Sequence, residues 1–313
     1  MSGSSDPGGA RQTVTGTTQT VFDPELHRAR LLEAERRARR QGLRRLVPRG
    51  WHLILLPLSV IMVMPFVWMV LSSFMTNAEI NHAPPALFPH GLNLAGYNLV
   101  LTNSDFPRWF LNSLIVSCAV VVSQLVMCSL AGYAFARIQF RGKNLTLVLL
   151  LATALIPFQL TVIPTFLIFH TLGLINTLGA LIVPQLTSAL GIYLMSSFFQ
   201  AFPKELEEAG RIDGCSRLGV YAKIVLPLAK PALAALAIIT FIYAWNDLFW
   251  PLIAITSDKT YTLQVGLATF QGQHRTEWAA VSAGITLTTA PVLLVFLLGQ
   301  RRFVQAITGA VKG

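Results

Sequence analysis

Six long apolar stretches of this sequence contain no lysine or arginine. They run Leu53–Met75, Trp109–Phe135, Leu145–Phe169, Leu178–Phe199, Ala232–Ile255 and Trp278–Gly299. Each is long enough, as a helix, to cross a hydrocarbon layer about 30 Å thick. Within such a layer every backbone polar group needs an internal partner, so spanning segments are helices or closed barrels. Continuous apolar runs, without the alternation of barrel strands, select helices. The reading is an all-α polytopic membrane protein with six transmembrane helices.

Composition agrees. Of 313 residues, 53% are hydrophobic and only 12% are charged, against roughly 25% charged in a soluble domain. Too few charged side chains exist to coat a water-facing surface. The net charge of +10 does not point to nucleic acid, because the basic residues flank the apolar runs.

Their distribution sets an orientation. Of the 24 Lys and Arg, 21 lie in the N-terminal segment, the second and fourth loops and the C-terminal tail. By the positive-inside rule these are cytoplasmic, and so are both termini. The leader, residues 1–50, reads as a separate basic segment. Its start is rich in Gly, Ser, Thr and Gln and reads as disordered. A short helix through Arg36-Arg37, Arg39-Arg40 and Arg44-Arg45 is either an anchor on anionic lipid or a solvated leader. Residues 51–313 form the membrane domain. Its first span is too long for a cleaved signal peptide.

Chemistry-bearing patterns are absent. There is no G-x-x-x-x-G-K-[ST], H-E-x-x-H or G-x-S-x-G, so no catalytic residue, metal site or nucleotide cofactor is assigned to this chain. Cys118 and Cys128 lie about 15 Å apart along one helix, too far to bridge. With Cys215 they read as filler, and the six histidines are scattered.

Inside the spans, Pro157 and Pro164 in the third and Pro184 in the fourth predict kinks. Asp247 is the one acidic residue within a predicted span. It is placed in the outer half of the fifth, where it should face protein or water rather than lipid. Trp245 and Trp250 beside it read as an interfacial belt.

The fourth loop, residues 202–230, carries the most information. Pro203 suits a first helical turn, and Glu205, Glu207 and Glu208 suit its positive end. Asp213-Gly214 breaks the chain, Ser216 caps a second helix, and Pro227 helps end it. A helical hairpin at the membrane face is more than a connector needs, and it reads as a docking surface.

Glu208-Ala209-Gly210, then Asp213-Gly214, nine residues, and Ile224-Val225-Leu226-Pro227 resemble the EAA loop of permease subunits in bacterial ABC importers. Gly210 stands where that family has alanine, a change that weakens a helix by about 1 kcal/mol. The resemblance runs from about residue 53 to the end and is closest to the smaller permease of maltose-type carbohydrate systems. Asn112-Ser113-Leu114, Ile156-Pro157-Phe158, Ala244-Trp245-Asn246-Asp247-Leu248 and the tail Gly309–Gly313 carry it.

The resemblance implies a type I ABC importer permease fold with a cytoplasmic EAA coupling loop. It implies a second, different permease, two ATP-binding subunits that hold ATP and Mg, and an extracytoplasmic solute-binding protein. Glu208, Ala209, Gly210, Asp213, Gly214, Ile224, Leu226 and Pro227 would couple to the ATPase, and Val311, Lys312 and Gly313 would reach between the ATPase subunits. Gln264, Gln271 and Gln273 would meet the binding protein. Asn112, Asn246 and Asp247 would line the path of a sugar or short oligosaccharide, with glycerol-3-phosphate the other substrate class. An ion-gradient secondary transporter is the alternative, but it would want several ionisable groups inside the spans.

Overall fold

The computed structural model describes residues 50–84, 86–272 and 276–310, the side chains of Gly50, Trp51 and 301–310 excepted. The basic leader, Gln273 and the tail residues Val311, Lys312 and Gly313 lie outside the described residues. The chain falls into two units, Met1–Met64 and Pro65–Gly313. The described part of the first is helical, residues 50–64.

Among the described residues fifteen α-helices follow one another: α1 Gly50–Ser72, α2 Asn77–Asn81, α3 Ala95–Thr102, α4 Phe106–Arg137, α5 Lys143–Thr153, α6 Phe158–Thr171, α7 Leu178–Ile182, α8 Ala189–Gln200, α9 Glu205–Ile212, α10 Arg217–Val220, α11 Leu226–Leu228, α12 Lys230–Trp245, α13 Phe249–Ala254, α14 Leu263–Ala268 and α15 Trp278–Ala310. Among the described residues the one β contact is an isolated bridge between Gln271 and Thr276.

Three helices are long and apolar enough to cross a membrane alone: α1, α4 and α15. Counting each of three bent pairs as one span gives up to six among the described residues: α5 with α6 at 93°, α7 with α8 at 42°, and the α10–α11 segment with α12 at 76°. The first two bends fall where the prolines predict them. Pro157 stands at the start of α6, and Pro184 sits in a single 3-10 turn, Val183–Gln185, after α7. Pro164 is carried inside α6.

The fifth run corrects the sequence reading. It is not one helix through Ile255, because α12 ends at Trp245 and α13 starts at Phe249. Asp247 therefore lies in a break between helices. Gln185 Nε2 donates to its carboxylate at 3.4 Å, and the backbone N–H groups of Phe249 and Trp250 face it. A carboxylate this close to exposed helix-start N–H groups competes with continuation of the helix.

Trp245 and Trp250 are also not a belt. They are 1% and 2% exposed, and their indoles donate to Thr288 O at 3.1 Å and Ala180 O at 2.9 Å. A buried indole needs such a partner, and each of these ties two spans together.

Packing between the spans depends on close approach, since lipid is as apolar as the side chains it would replace. At Gly132 an added Cβ would stand 2.6 Å from Met195 Cβ and 2.9 Å from Ser196 N, which sets how closely α4 crosses α8. A buried polar relay crosses the same bundle. Thr240 Oγ1 donates to Gln124 Oε1 at 3.0 Å, and Gln124 Nε2 donates to Gln185 O at 2.9 Å.

Candidate functional site

The fourth loop folds as the helical hairpin its sequence predicts. Helix α9 opens two residues after Pro203, so the proline precedes the first turn rather than occupying it. It closes in a double-bonded Schellman turn, with Gly214 at φ 84°. Gly214 N–H donates to Arg211 O at 3.1 Å and Cys215 N–H to Gly210 O at 3.0 Å. Only glycine adopts that left-handed conformation without a Cβ penalty. Ser216 then caps α10, accepting from Gly219 N–H at 3.1 Å.

Beyond α10 the chain makes one π turn, Tyr221–Val225, in which Leu226 N–H reaches back to Tyr221 O. Pro227 lies in the first turn of α11. It does not end the second helix as expected; the chain bends after Leu228 instead.

The motif residues divide by face. Glu208, Ala209, Asp213, Gly214 and Pro227 are exposed, whereas Gly210 is buried. Ile224 and Leu226 pack into a cluster with Met195, Phe199, Val220, Tyr221 and Val225. A Cβ on Gly210 would collide with the Ile224 side-chain tip. Glycine here therefore lets Ile224 seat against α9, which offsets the weaker helix expected from composition.

Sequence reasoning missed the polar anchor beneath this hairpin. Glu207, next to the motif glutamate, points inward. Its Oε1 pairs with Arg137 Nε at 2.6 Å, the two side chains being 15% and 9% exposed. Its Oε2 accepts from Tyr133 Oη at 3.1 Å, and Arg137 Nη2 donates to Phe202 O at 2.7 Å. One turn further in, Ser129 Oγ and Tyr221 Oη are 2.7 Å apart. Both charges sit at favourable helix ends: Arg137 closes α4, and Glu207 lies in the first turn of α9. The available signal was spacing, since Tyr133 and Arg137 are i, i+4 on a helix that ends with them.

At the other end of α4 the contacts are neutral. Asn112 Nδ2 donates to Lys259 O at 3.0 Å and Tyr261 O at 2.9 Å, and Ser113 Oγ accepts from Leu263 N–H at 2.8 Å. The Asn112 amide N–H groups are thus tied to the fifth loop. Asn246 is exposed, and Gln264 Nε2 approaches its Oδ1 at 3.5 Å. Gln264 is turned toward the α12–α13 break, whereas Gln271 is exposed at the loop tip.

The comparisons agree on what such a molecule is. Residues 128–309 match the family model for the binding-protein-dependent transport system inner membrane component. An arabinooligosaccharide transport system permease of Halalkalibacterium halodurans is 34% identical over 260 residues, covering 82% of this chain and 93% of that protein. The trehalose/maltose transport system permease of Thermococcus litoralis is 34% identical over 262 residues, covering 82% and 94%.

Among solved structures, a bacterial ABC transporter involved in import of the acidic polysaccharide alginate superposes with a TM-score of 0.70 at 23% identity, covering 86% of this chain and 98% of that one. A bacterial alginate ABC transporter in complex with a periplasmic protein bound to an alginate pentasaccharide gives 0.59 at 13% identity, covering 80% and 92%. The protein belongs to the family of binding-protein-dependent transport system inner membrane components, the membrane-embedded permease subunits of ABC importers.

Proposed function

We propose that this subunit pairs with a second, different permease to enclose the path of an importer for a sugar or short oligosaccharide, and that the α9–α10 hairpin seats an ATP-binding subunit. The observation that carries the docking role is the outer face of the hairpin. Ile212 is 86% and Leu218 66% exposed, amid exposed Glu205, Glu208, Arg211, Asp213 and Arg217. So many charges exclude lipid as the cover, and exposed apolar groups rimmed by polar ones mark a protein interface. ATP and Mg belong to two such partner subunits. Their closure pushes on the hairpin, and the spans rock in response. The tail contact with the same partners is assigned to Val311, Lys312 and Gly313 on the family resemblance alone.

The charge asymmetry supports an orientation with the hairpin and both termini in the cytoplasm of a bacterial cell and Lys259 outside. Asn246 and Asp247, set in the break after α12, offer the amide and carboxylate groups that hydrogen-bond sugar hydroxyls. The contact with the solute-binding protein is assigned to the fifth loop, where Gln271 is exposed. The curated relatives named for arabinooligosaccharides and for trehalose and maltose support an uncharged saccharide. No Lys or Arg within the six runs stands ready for a phosphorylated one such as glycerol-3-phosphate.

Two variants test the docking role. Glu208→Lys reverses a charge on the outer face, and Gly214→Phe forbids the left-handed turn. Both should abolish uptake and release the ATPase subunits on purification, while the permease stays in the membrane. Normal uptake at normal abundance in both variants refutes the proposal. Thermal-shift screening of the cognate solute-binding protein against saccharides identifies the substrate.

A further inference from the structure

We infer that Arg137, acting through Glu207, is the positioning residue that makes the docking hairpin and the second span move as one body. The inference rests on the docking role proposed above and adds how the push is transmitted.

The two neighbouring glutamates of α9 have separate tasks. Glu208 is exposed, on the face offered to a partner. Glu207 is turned to the opposite face and meets Arg137 at 2.6 Å. The guanidinium bridges the hairpin at two points, through Glu207 and through the carbonyl of Phe202 just before α9. Tyr133, one turn back along α4, holds the second carboxylate oxygen. Ser129 and Tyr221 repeat the connection between α4 and the turn after α10.

A push on α9 cannot rotate the hairpin away from α4 without leaving a nearly buried charge bare on each side, which is strongly unfavourable. Apolar packing alone offers no such directional resistance, because it can slide. The planar fork of arginine suits this position and a lysine does not, since lysine cannot hold the carboxylate and the carbonyl together in fixed geometry. Arg137 thus joins the end of a 32-residue helix to the segment that receives the stroke.

The test is uptake per ATP hydrolysed by the intact importer in liposomes. The variants are Arg137→Lys, Arg137→Gln/Glu207→Gln, which removes both charges so that neither is stranded, and Glu208→Lys as the docking control. The double variant should keep its ATPase subunits and hydrolyse ATP. Its uptake per ATP should fall about tenfold, within the usual range of coupling free energies. Arg137→Lys should fall between it and the wild type. If the double variant transports with wild-type coupling, or is simply lost from the membrane, the ion pair is a folding contact and the inference is wrong. If Glu208→Lys retains both the ATPase subunits and uptake, the docking role fails instead, and the two failures are told apart.

Discussion

The two ends of α4 are held in different ways. Asn112 and Arg137 are 25 residues apart on this helix, about 37 Å at 1.5 Å per residue, more than the thickness of a hydrocarbon core. At the Arg137 end the neighbour is a carboxylate, nearly buried and met at 2.6 Å. At the Asn112 end the neighbours are backbone carbonyls of the fifth loop at 2.9 and 3.0 Å. Asn176 does similar work nearby in the left-handed region, at φ 63°. Its side-chain oxygen accepts from Thr256 N–H at 2.6 Å and Ser257 N–H at 3.2 Å.

Neutral bonds are worth about 1 kcal/mol each and can be exchanged one at a time. A buried ion pair loses about 3–5 kcal/mol when one partner is removed. The Arg137 end is therefore costly to pull apart, whereas the Asn112 end can rearrange in small steps.

The strongest way to break this picture is to separate the helices on which the Arg137 end rests. Gly132→Leu places a side chain where even a Cβ meets Met195 and the backbone of Ser196. The expected outcome is loss of the protein from the membrane fraction, read by immunoblot against the wild type. Normal abundance would show that α4 and α8 can part without harm.

The next test compares the two ends directly by thermal unfolding in detergent. Glu207→Gln strands Arg137 and should cost about 3–5 kcal/mol, whereas Asn112→Ala should cost about 1–2 kcal/mol for two amide bonds. Equal shifts for the two variants would erase the distinction.

A smaller effect is expected at the break after α12. Asp247→Asn keeps the shape and an oxygen acceptor for Gln185 Nε2 but removes the charge. Uptake KM should change about threefold, less than 1 kcal/mol, with ATPase stimulation unchanged. An unaltered KM would take Asp247 out of the pathway and leave it as the group that shapes the helix break.

The smallest effect concerns Glu79, on the short helix after the first run. Its carboxylate caps Thr76 N–H at 2.7 Å and accepts from His90 N–H at 3.0 Å. The backbone bond from Thr76, then those from His90, hold its pKa down at about 2, below the ordinary 4.5. A depressed carboxylate stabilises the fold fully above its unfolded pKa and loses that contribution as pH falls toward about 2. Amide exchange at Thr76 and His90 should therefore keep the same protection from pH 7 to 5 and lose it only in stronger acid. Protection already lost near pH 6 would contradict the assignment.

How much of this was legible in advance depends on the range over which each residue acts. Gly214 and Ser216 were readable because turn and cap are satisfied within a few residues of themselves. Pro157 and Pro184 were readable because a missing N–H acts on its own helix. Glu207 was read only as a helix-start charge, since its partner Arg137 lies 70 residues earlier and nothing local names it. The break at Asn246-Asp247 was hidden inside an apolar run whose composition fits one continuous helix. Trp245 and Trp250 misled for a similar reason: an indole at the edge of a run looks interfacial until its N–H is seen to find a carbonyl on another span.

The sequence by itself determined the solvent, the number of apolar runs, the charged side and the hairpin motif. Each follows from local composition and from the hydrogen-bonding demands of backbone in lipid. The tertiary structure alone decided which of two adjacent glutamates turns inward, what the glycine at position 210 makes room for, and where the fifth run breaks. Those outcomes depend on which side chains meet across the bundle. Neighbours three or four apart share a helix face by geometry, but a pair 70 residues apart meets only once the helices have packed.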